Sequence, residues 1–208
     1  MNNLRKFGTE AAYTAATLNY PAVSWVTGTD EVHFDKVAPV VNTKVKIAFT
    51  TDSCGGGKTM YICSSSALPS LNSITLNGSP IELNSSSIYL TLTNNTDYLI
   101  EYELKDNVTD IQSWFDLGSM YLGCASAEIN YDILIPAQVT NIGGVGSAIY
   151  NIILEETTPP SIVSAPSGMR GGLYVPDSAV NTYKTAAGWD SMSSYTYPIS
   201  DYQGKIPV

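Results

Sequence analysis

Residues 52–60, DSCGGGKTM, are the first stretch whose types and spacing could do chemistry. Three glycines followed by Lys58 and Thr59 look like the close of a phosphate-binding loop. Such a loop needs Gly-x-x-x-x-Gly-Lys-Ser/Thr between a strand and a helix, so that backbone N–H groups and a helix N-terminus meet the phosphates. Counting back from Gly57-Lys58-Thr59, the first glycine falls at position 52. That residue is Asp52, an anion where a phosphate would lie. The segment that follows, TMYICSSS, is β-branched, aromatic and then Ser-rich, so no helix is expected there. The stretch therefore reads as a hairpin loop between VKIAF (45–49) and MYIC (60–63), with its glycines taking positive φ.

Other chemistry is equally thin. His33 is the only histidine, so a Ser-His-Asp or Cys-His arrangement has to use it. Its neighbours Val32 and Phe34 alternate with Glu31, His33 and Asp35, which makes it a solvent-facing strand residue, and no nucleophile-elbow motif accompanies it. Cys54, Cys63 and Cys124 are an odd set with no Cys-x-x-Cys pair. They read as small apolar residues rather than zinc ligands or a disulfide framework. Glu101 and Glu103, or Asp106 and Asp110, are carboxylate pairs of the kind a glycosidase uses. The first pair alternates with Tyr102 and Leu104 as a solvated strand face. The second lacks the Asp-x-Asp-x-Asn-Gly spacing of an EF-hand and reads as a polar turn. No catalytic residue, cofactor or metal ligand is assigned.

The elements around these residues are short strands. An apolar fraction of 44% supplies a core, while charged residues make up only 14%, which excludes the low-hydropathy, high-charge signature of disorder. The net charge of −9, with Lys and Arg scattered, opposes nucleic-acid binding. No apolar run after Arg5 and Lys6 is long enough for a secretory signal, and no run of about 18 apolar residues occurs to span a membrane. Thr9–Thr17 is an Ala-rich helix candidate capped by Thr9. Trp25-Val26, the turn Thr27-Gly28-Thr29-Asp30 and the alternating Val32 and Phe34 read as a hairpin, and Ala38-Pro39 as a boundary. Beyond it, strands are expected at VKIAF, MYIC, SITLNGSPIEL (73–83), SIYLTL (87–92), YLIEYEL (98–104) and INYDILI (129–135). Asn77-Gly78 is the strongest hairpin signal among them. From Pro136 the texture becomes glycine-rich. One helix is expected after Pro176, with Asp177 or Ser178 as cap and Val180, Tyr183, Lys184 and Ala187 at helical spacing. Gly188 is then left-handed, and Trp189 folds back on the helix. The fold class is mainly β: an antiparallel β-sandwich, Ig-like or jelly-roll-like, over 37–132. A short N-terminal arm (1–36) precedes it and a small α+β repeat-like region (133–208) follows.

Two stretches resemble known families. ILIPAQVTNIG (133–143) resembles the repeat of BspA-like leucine-rich repeat proteins, through Ile135-Pro136, Val139 and Ile142-Gly143. GGLYVPDSAVNTYKTAAGWDSMSSYTYPI (171–199) resembles the tail that closes such arrays in gut Bacteroidetes proteins. Tyr174-Val175-Pro176, Val180, Tyr183-Lys184, Gly188-Trp189 and Pro198-Ile199 carry the match. The likeness covers about a third of the chain and lacks consecutive repeats, so no long solenoid is expected. The opening, LRKFGTEAAYTAATLNYPAVSWV, is similar to leaders of proteins from phages of those bacteria, including crAss-like phages.

The resemblance implies binding and display: a virion structural protein, such as a head fibre or capsid decoration subunit, made in the host cytoplasm and carried on the capsid exterior. Its implied partners are capsid or other virion proteins, sister subunits in a homo-oligomer (a trimer among the options) and a host surface glycan, with neither nucleic acid nor membrane. Leu4, Phe7, Tyr13, Tyr20 and Trp25 are the candidate partner-binding residues of the arm. Ser194-Tyr195-Thr196-Tyr197 offers aromatics either to a partner or glycan or, more simply, to the packing of the C-terminal cap. The alternatives are a bacterial surface adhesin, which needs an export signal upstream, and a glycan depolymerase. The latter needs two carboxylates about 5–9.5 Å apart in an aromatic cleft.

Overall fold

Period-two alternation of apolar residues dominates the chain, and strands are what it builds. The computed structural model describes residues 3–7, 9, 22–26, 31–35, 42–51, 59–84, 86–111, 130–143, 149–163 and 170–208. The candidate helix after Thr9 and the Ala38-Pro39 boundary lie outside them. Two compact units emerge, residues 1–42 and 43–208.

The first unit holds β1 (Asn3–Phe7), β2 (Ala22–Val26) and β3 (Glu31–Asp35) in one sheet. β1 pairs with β2 in parallel and β2 with β3 antiparallel, in the register Val26–Glu31 to Ala22–Asp35. The expected hairpin around residues 27–30 is therefore present, and His33 lies in a strand.

The second unit continues with β4 (Lys44–Thr50), β5 (Thr59–Cys63), β6 (Leu71–Leu76), β7 (Ser79–Ile81), β8 (Ile88–Thr91), β9 (Asp97–Leu104), β10 (Asp110–Ile111) and β11 (Tyr131–Ile135). Then come β12 (Asn141–Ile142), β13 (Ile149–Leu154), β14 (Ser161–Ile162), β15 (Leu173–Val175), α1 (Val180–Thr185) and β16 (Thr196–Pro198). One eight-stranded sheet runs β16-β15-β13-β11-β4-β9-β6-β7. Its half from β4 to β7 is antiparallel, as expected. β11 joins β4 antiparallel, but β11, β13, β15 and β16 are mutually parallel. The chain therefore returns between these strands through a second layer, because parallel neighbours need a crossover. Two of the returns pass through the short β12 and β14, which with β10 form a small parallel sheet. The last return is α1. β11 crosses position 133, so segments 37–132 and 133–208 share this sheet.

Asn77-Gly78 forms the hairpin its sequence promises. Leu76 pairs with Ser79, and both turn residues have positive φ, +48° and +80°, as a type I′ turn requires. The Asn77 side chain fixes this turn to β9: its Nδ2 donates to the Asp97 carbonyl (3.1 Å) and its Oδ1 accepts from the Leu99 N–H (2.7 Å).

Residues 52–58 lie outside the described residues, but the hairpin expected across them does not form. β4 already has β9 and β11 on its two edges, so no edge is left for β5, which pairs with β8 in a separate two-stranded sheet. Thr59–Cys63 is a strand, and the helix that a phosphate loop needs is absent from that position.

The C-terminal segment follows its sequence signals except at the cap and at Ala187, which lies beyond the end of the helix. A 3-10 turn at Asp177–Ala179 leads into α1, Gly188 has φ +83°, and the ring of Trp189 packs edge-on against Tyr183 at 5.8 Å. Neither Asp177 nor Ser178 caps this helix. The Asp177 carboxylate instead accepts from the Ser200 N–H (3.2 Å), holding the chain end against the helix start.

One large apolar cluster lies on the inner face of the sheet. It contains Val45, Ile47, Phe49, Ile100, Tyr102, Ile133, Ile152 and Leu173 from the sheet. Met60, Ile62 and Ile88 from the two-stranded sheet, Ile111 and Ile142 from the small parallel sheet, and Tyr183 and Trp189 from the helical return complete it. The Trp189 Nε1–H donates to the Pro160 carbonyl (2.8 Å), so the buried indole keeps its hydrogen bond.

Candidate functional site

On the outer face of the large sheet, over β4, β11 and β13, the chain puts a second, smaller cluster: Ala48, Leu134, Ile153, Tyr202 and Ile206. Residues 199–206 run over this face, and beside them opens a cleft of about 790 Å³. The cleft falls within the roughly 300–1,000 Å³ that ligand sites occupy.

The floor is built by register. Asp132 on β11 pairs with Asn151 on β13, with Tyr150 as the extra residue of a β-bulge. Bulges re-aim side chains, and here the bulge adds an aromatic to the wall of the cleft. The Asn151 Nδ2 donates to Asp132 Oδ1 (2.9 Å), and the Gly172 N–H donates to Asn151 Oδ1 (2.9 Å). Asp132 Oδ2 accepts from the Tyr202 hydroxyl (2.6 Å) and the Lys205 N–H (3.4 Å). A carboxylate on an otherwise apolar strand thus ties three elements together. Burial, reinforced by the hydrogen bond to Asp132, pushes the Tyr202 hydroxyl well above the usual tyrosine range.

Three glycines make room for this arrangement. A Cβ at Gly171 would overlap the Asn151 side chain and the Tyr150 carbonyl, and one at Gly204 would overlap the Tyr202 hydroxyl and Asp132. At Gly172 it would lie 2.9 Å from the rings of both Tyr174 and Tyr197. Those rings are neighbours through the pairing of β15 with β16, with centroids 5.6 Å apart, and Tyr174 also meets Tyr202 edge-on at 5.1 Å. Burial and then the nearby Tyr197, Asp132, Tyr150 and Asp201 raise the Tyr174 hydroxyl above its ordinary value. Tyr150, Tyr195 and Tyr197 are 43%, 56% and 39% exposed. Cap packing thus takes up Thr196, which is buried, and leaves Tyr195 and Tyr197 at the mouth of the cleft.

The residues singled out from the sequence lie elsewhere. Leu4, Phe7 and Trp25 fall on the sheet of the first unit, Leu4 opposite Val23, Phe7 opposite Val26, and Trp25 between Lys6 and Val32. Tyr13 and Tyr20 lie outside the described residues. Glu101 and Glu103 line the sheet face opposite the core as hydrogen-bond acceptors. Glu101 accepts from Lys44 (3.3 Å) and Thr75 (3.2 Å), and Glu103 from Ser73 (2.7 Å). Cys63 is a buried free thiol, and desolvation pushes it up to about 11, which keeps it protonated and inert near neutral pH. Cys54 and Cys124 lie outside the described residues. Among the described residues no three of His, Cys, Asp and Glu gather as a metal site, and no helix is long and apolar enough to cross a membrane. Asp132 is the one carboxylate among the residues lining the cleft.

No protein-family model, curated protein or solved structure matches the chain.

The cleft had a signal in the sequence. Tyr131-Asp132-Ile133-Leu134-Ile135 and Tyr150-Asn151-Ile152-Ile153-Leu154 are the same pattern, a single polar residue second in an apolar run. A carboxylate or amide in that setting costs energy unless paired, and the matching positions pair with each other.

Proposed function

We propose that the chain is a non-enzymatic virion structural protein, a head-fibre or capsid-decoration subunit of a phage infecting gut Bacteroidetes. It attaches by residues 1–42 and displays residues 43–208. The observation that carries this reading is the tail motif. Tyr174-Val175-Pro176, Gly188-Trp189 and Pro198-Ile199, through which the chain resembles BspA-like tails, fall on the end of β15 and the residue after it, on the turn after α1, and on the last residue of β16 and the one that follows. These elements close one end of a short parallel array. Such an array is a rigid platform whose outer face is available for contact. Charge distribution supports the division of labour. Residues 1–42 carry three Lys or Arg against four Asp or Glu, whereas 43–208 carry seven against fifteen. A nearly neutral segment suits docking, and an acidic one keeps a displayed surface soluble.

Mass spectrometry of purified phage particles tests the reading. The protein is expected in particles at a fixed copy number relative to the major capsid protein. Its absence from particles, with recovery in the bacterial envelope, would replace this reading with a surface adhesin.

A further inference from the structure

We propose that the cleft over β11, β13, β15 and β16 is a saccharide-binding site that takes a pyranose-containing oligosaccharide. This deepens the preceding reading, since it rests on residues 43–208 being a displayed surface. A pyranose has a face of C–H groups carrying partial positive charge and a rim of hydroxyls. The first fits the negative face of an aromatic ring, and the second needs fixed donors and acceptors. The cleft supplies both. Tyr150, Tyr195 and Tyr197 are exposed aromatics on its walls. Of the other exposed large hydrophobic side chains, Leu83, Tyr89, Val163 and Val208 lie outside it. The Tyr197 ring is held ready, because it leans on Tyr174, which is braced by Tyr202. Little ordering entropy is then lost on binding.

The floor has hydrogen-bonding capacity left over. A carboxylate offers about four lone-pair sites, and the Tyr202, Asn151 and Lys205 donors fill three of those on Asp132. Asn151 gives one amide hydrogen to Asp132 and keeps the second. Asn130 and Gln203 add polar side chains at the rim. Other ligands fit less well. Stacking between aromatics also suits a nucleobase, but fifteen acidic against seven basic residues in this unit oppose a polyanion. A lipid tail would set apolar carbon against the Asp132 carboxylate, at a desolvation cost.

The test is isothermal titration of the full chain with maltohexaose, mannohexaose, xylohexaose, chitohexaose and cellohexaose. At least one should bind. Tyr195→Ala and Tyr197→Ala should each weaken it about tenfold, the loss expected for one aromatic stacking contact. Tyr89→Ala, which removes an exposed ring outside the cleft, should leave affinity unchanged. NMR amide shifts on adding the bound sugar should centre on Gly171, Gly172 and Gly204. Binding by none of the five overturns the proposal, as does equal weakening by Tyr89→Ala or a shift map centred elsewhere. Particles that carry the protein while no sugar binds would remove the cleft assignment alone. Sugar binding by a protein missing from particles would remove the virion reading alone.

Discussion

Asp132 holds its place because every donor around it points at an oxygen. In Asp132→Asn one of those oxygens becomes an NH₂ group facing a donor. Asn151 cannot flip to compensate without losing the Gly172 N–H. The substitution should cost about 1.5–3 kcal/mol, the worth of a hydrogen bond to a charged group. Urea unfolding should show this as a lower midpoint with unchanged slope. A second residue-scale expectation concerns alkali. Burial raises Cys63 to about 11 and lifts Tyr102, Tyr183 and Tyr202 above their ordinary value. In the unfolded chain these groups lose protons first, so the folded state binds more protons at high pH and stability falls as pH rises. The contribution is complete below about pH 9 and declines above it, at up to about 1.4 kcal/mol per pH unit for each titrating group. Unfolding free energies from pH 7 to 11 check the sign, and Cys63→Ala should flatten the part between 9 and 11.

Two turns with left-handed glycines separate backbone strain from crowding. At Gly78 a Cβ would meet nothing within 4 Å, so Gly78→Ala carries only the cost of positive φ, about 1 kcal/mol. At Gly188 the same change adds a contact of 2.7 Å with Ile162, a residue of β14 beneath the helical return. Gly188→Ala should therefore destabilise by about 2 kcal/mol or more. Equal midpoints for the two variants in thermal unfolding would show that crowding contributes nothing. Both turns were legible in the sequence because their chemistry is local: Asn-Gly demands the type I′ hairpin, and a glycine after a helix demands the left-handed turn. Strand partners were not legible in the same way. SIYLTL and YLIEYEL alternate clearly and follow one another, yet β8 pairs with β5 while β9 lies between β4 and β6. Alternation states which face is buried and says nothing of which edge is taken. The parallel half was hidden for a related reason, since its inner strands β11 and β13 are buried on both faces along most of their length and lose their alternation. Tyr131–Ile135 is buried at all five positions. The cleft inherits that difficulty. Asp132, Asn151, Gly172 and Tyr197 come from four separate stretches and meet only once the parallel register is known, so Tyr195 and Tyr197 could be named from sequence but not their floor.

At the scale of the whole molecule, the division at residue 42 has a consequence for stability and another for assembly. Residues 43–208 hold two apolar clusters of their own, and cores of this kind supply most of the favourable free energy of folding. A chain of residues 43–208 should therefore unfold cooperatively by calorimetry, because it is a compact unit that keeps its own core. Attachment should behave in the opposite way. If residues 1–42 are the docking segment, phage encoding only 43–208 should yield particles from which the protein is missing, although the fragment is folded and keeps its cleft. A fragment that folds and still enters particles would move attachment into the second unit. Loss of saccharide binding on those particles would then put attachment on the outer face of β11, β13, β15 and β16, since one surface cannot be buried against a capsid and displayed at the same time.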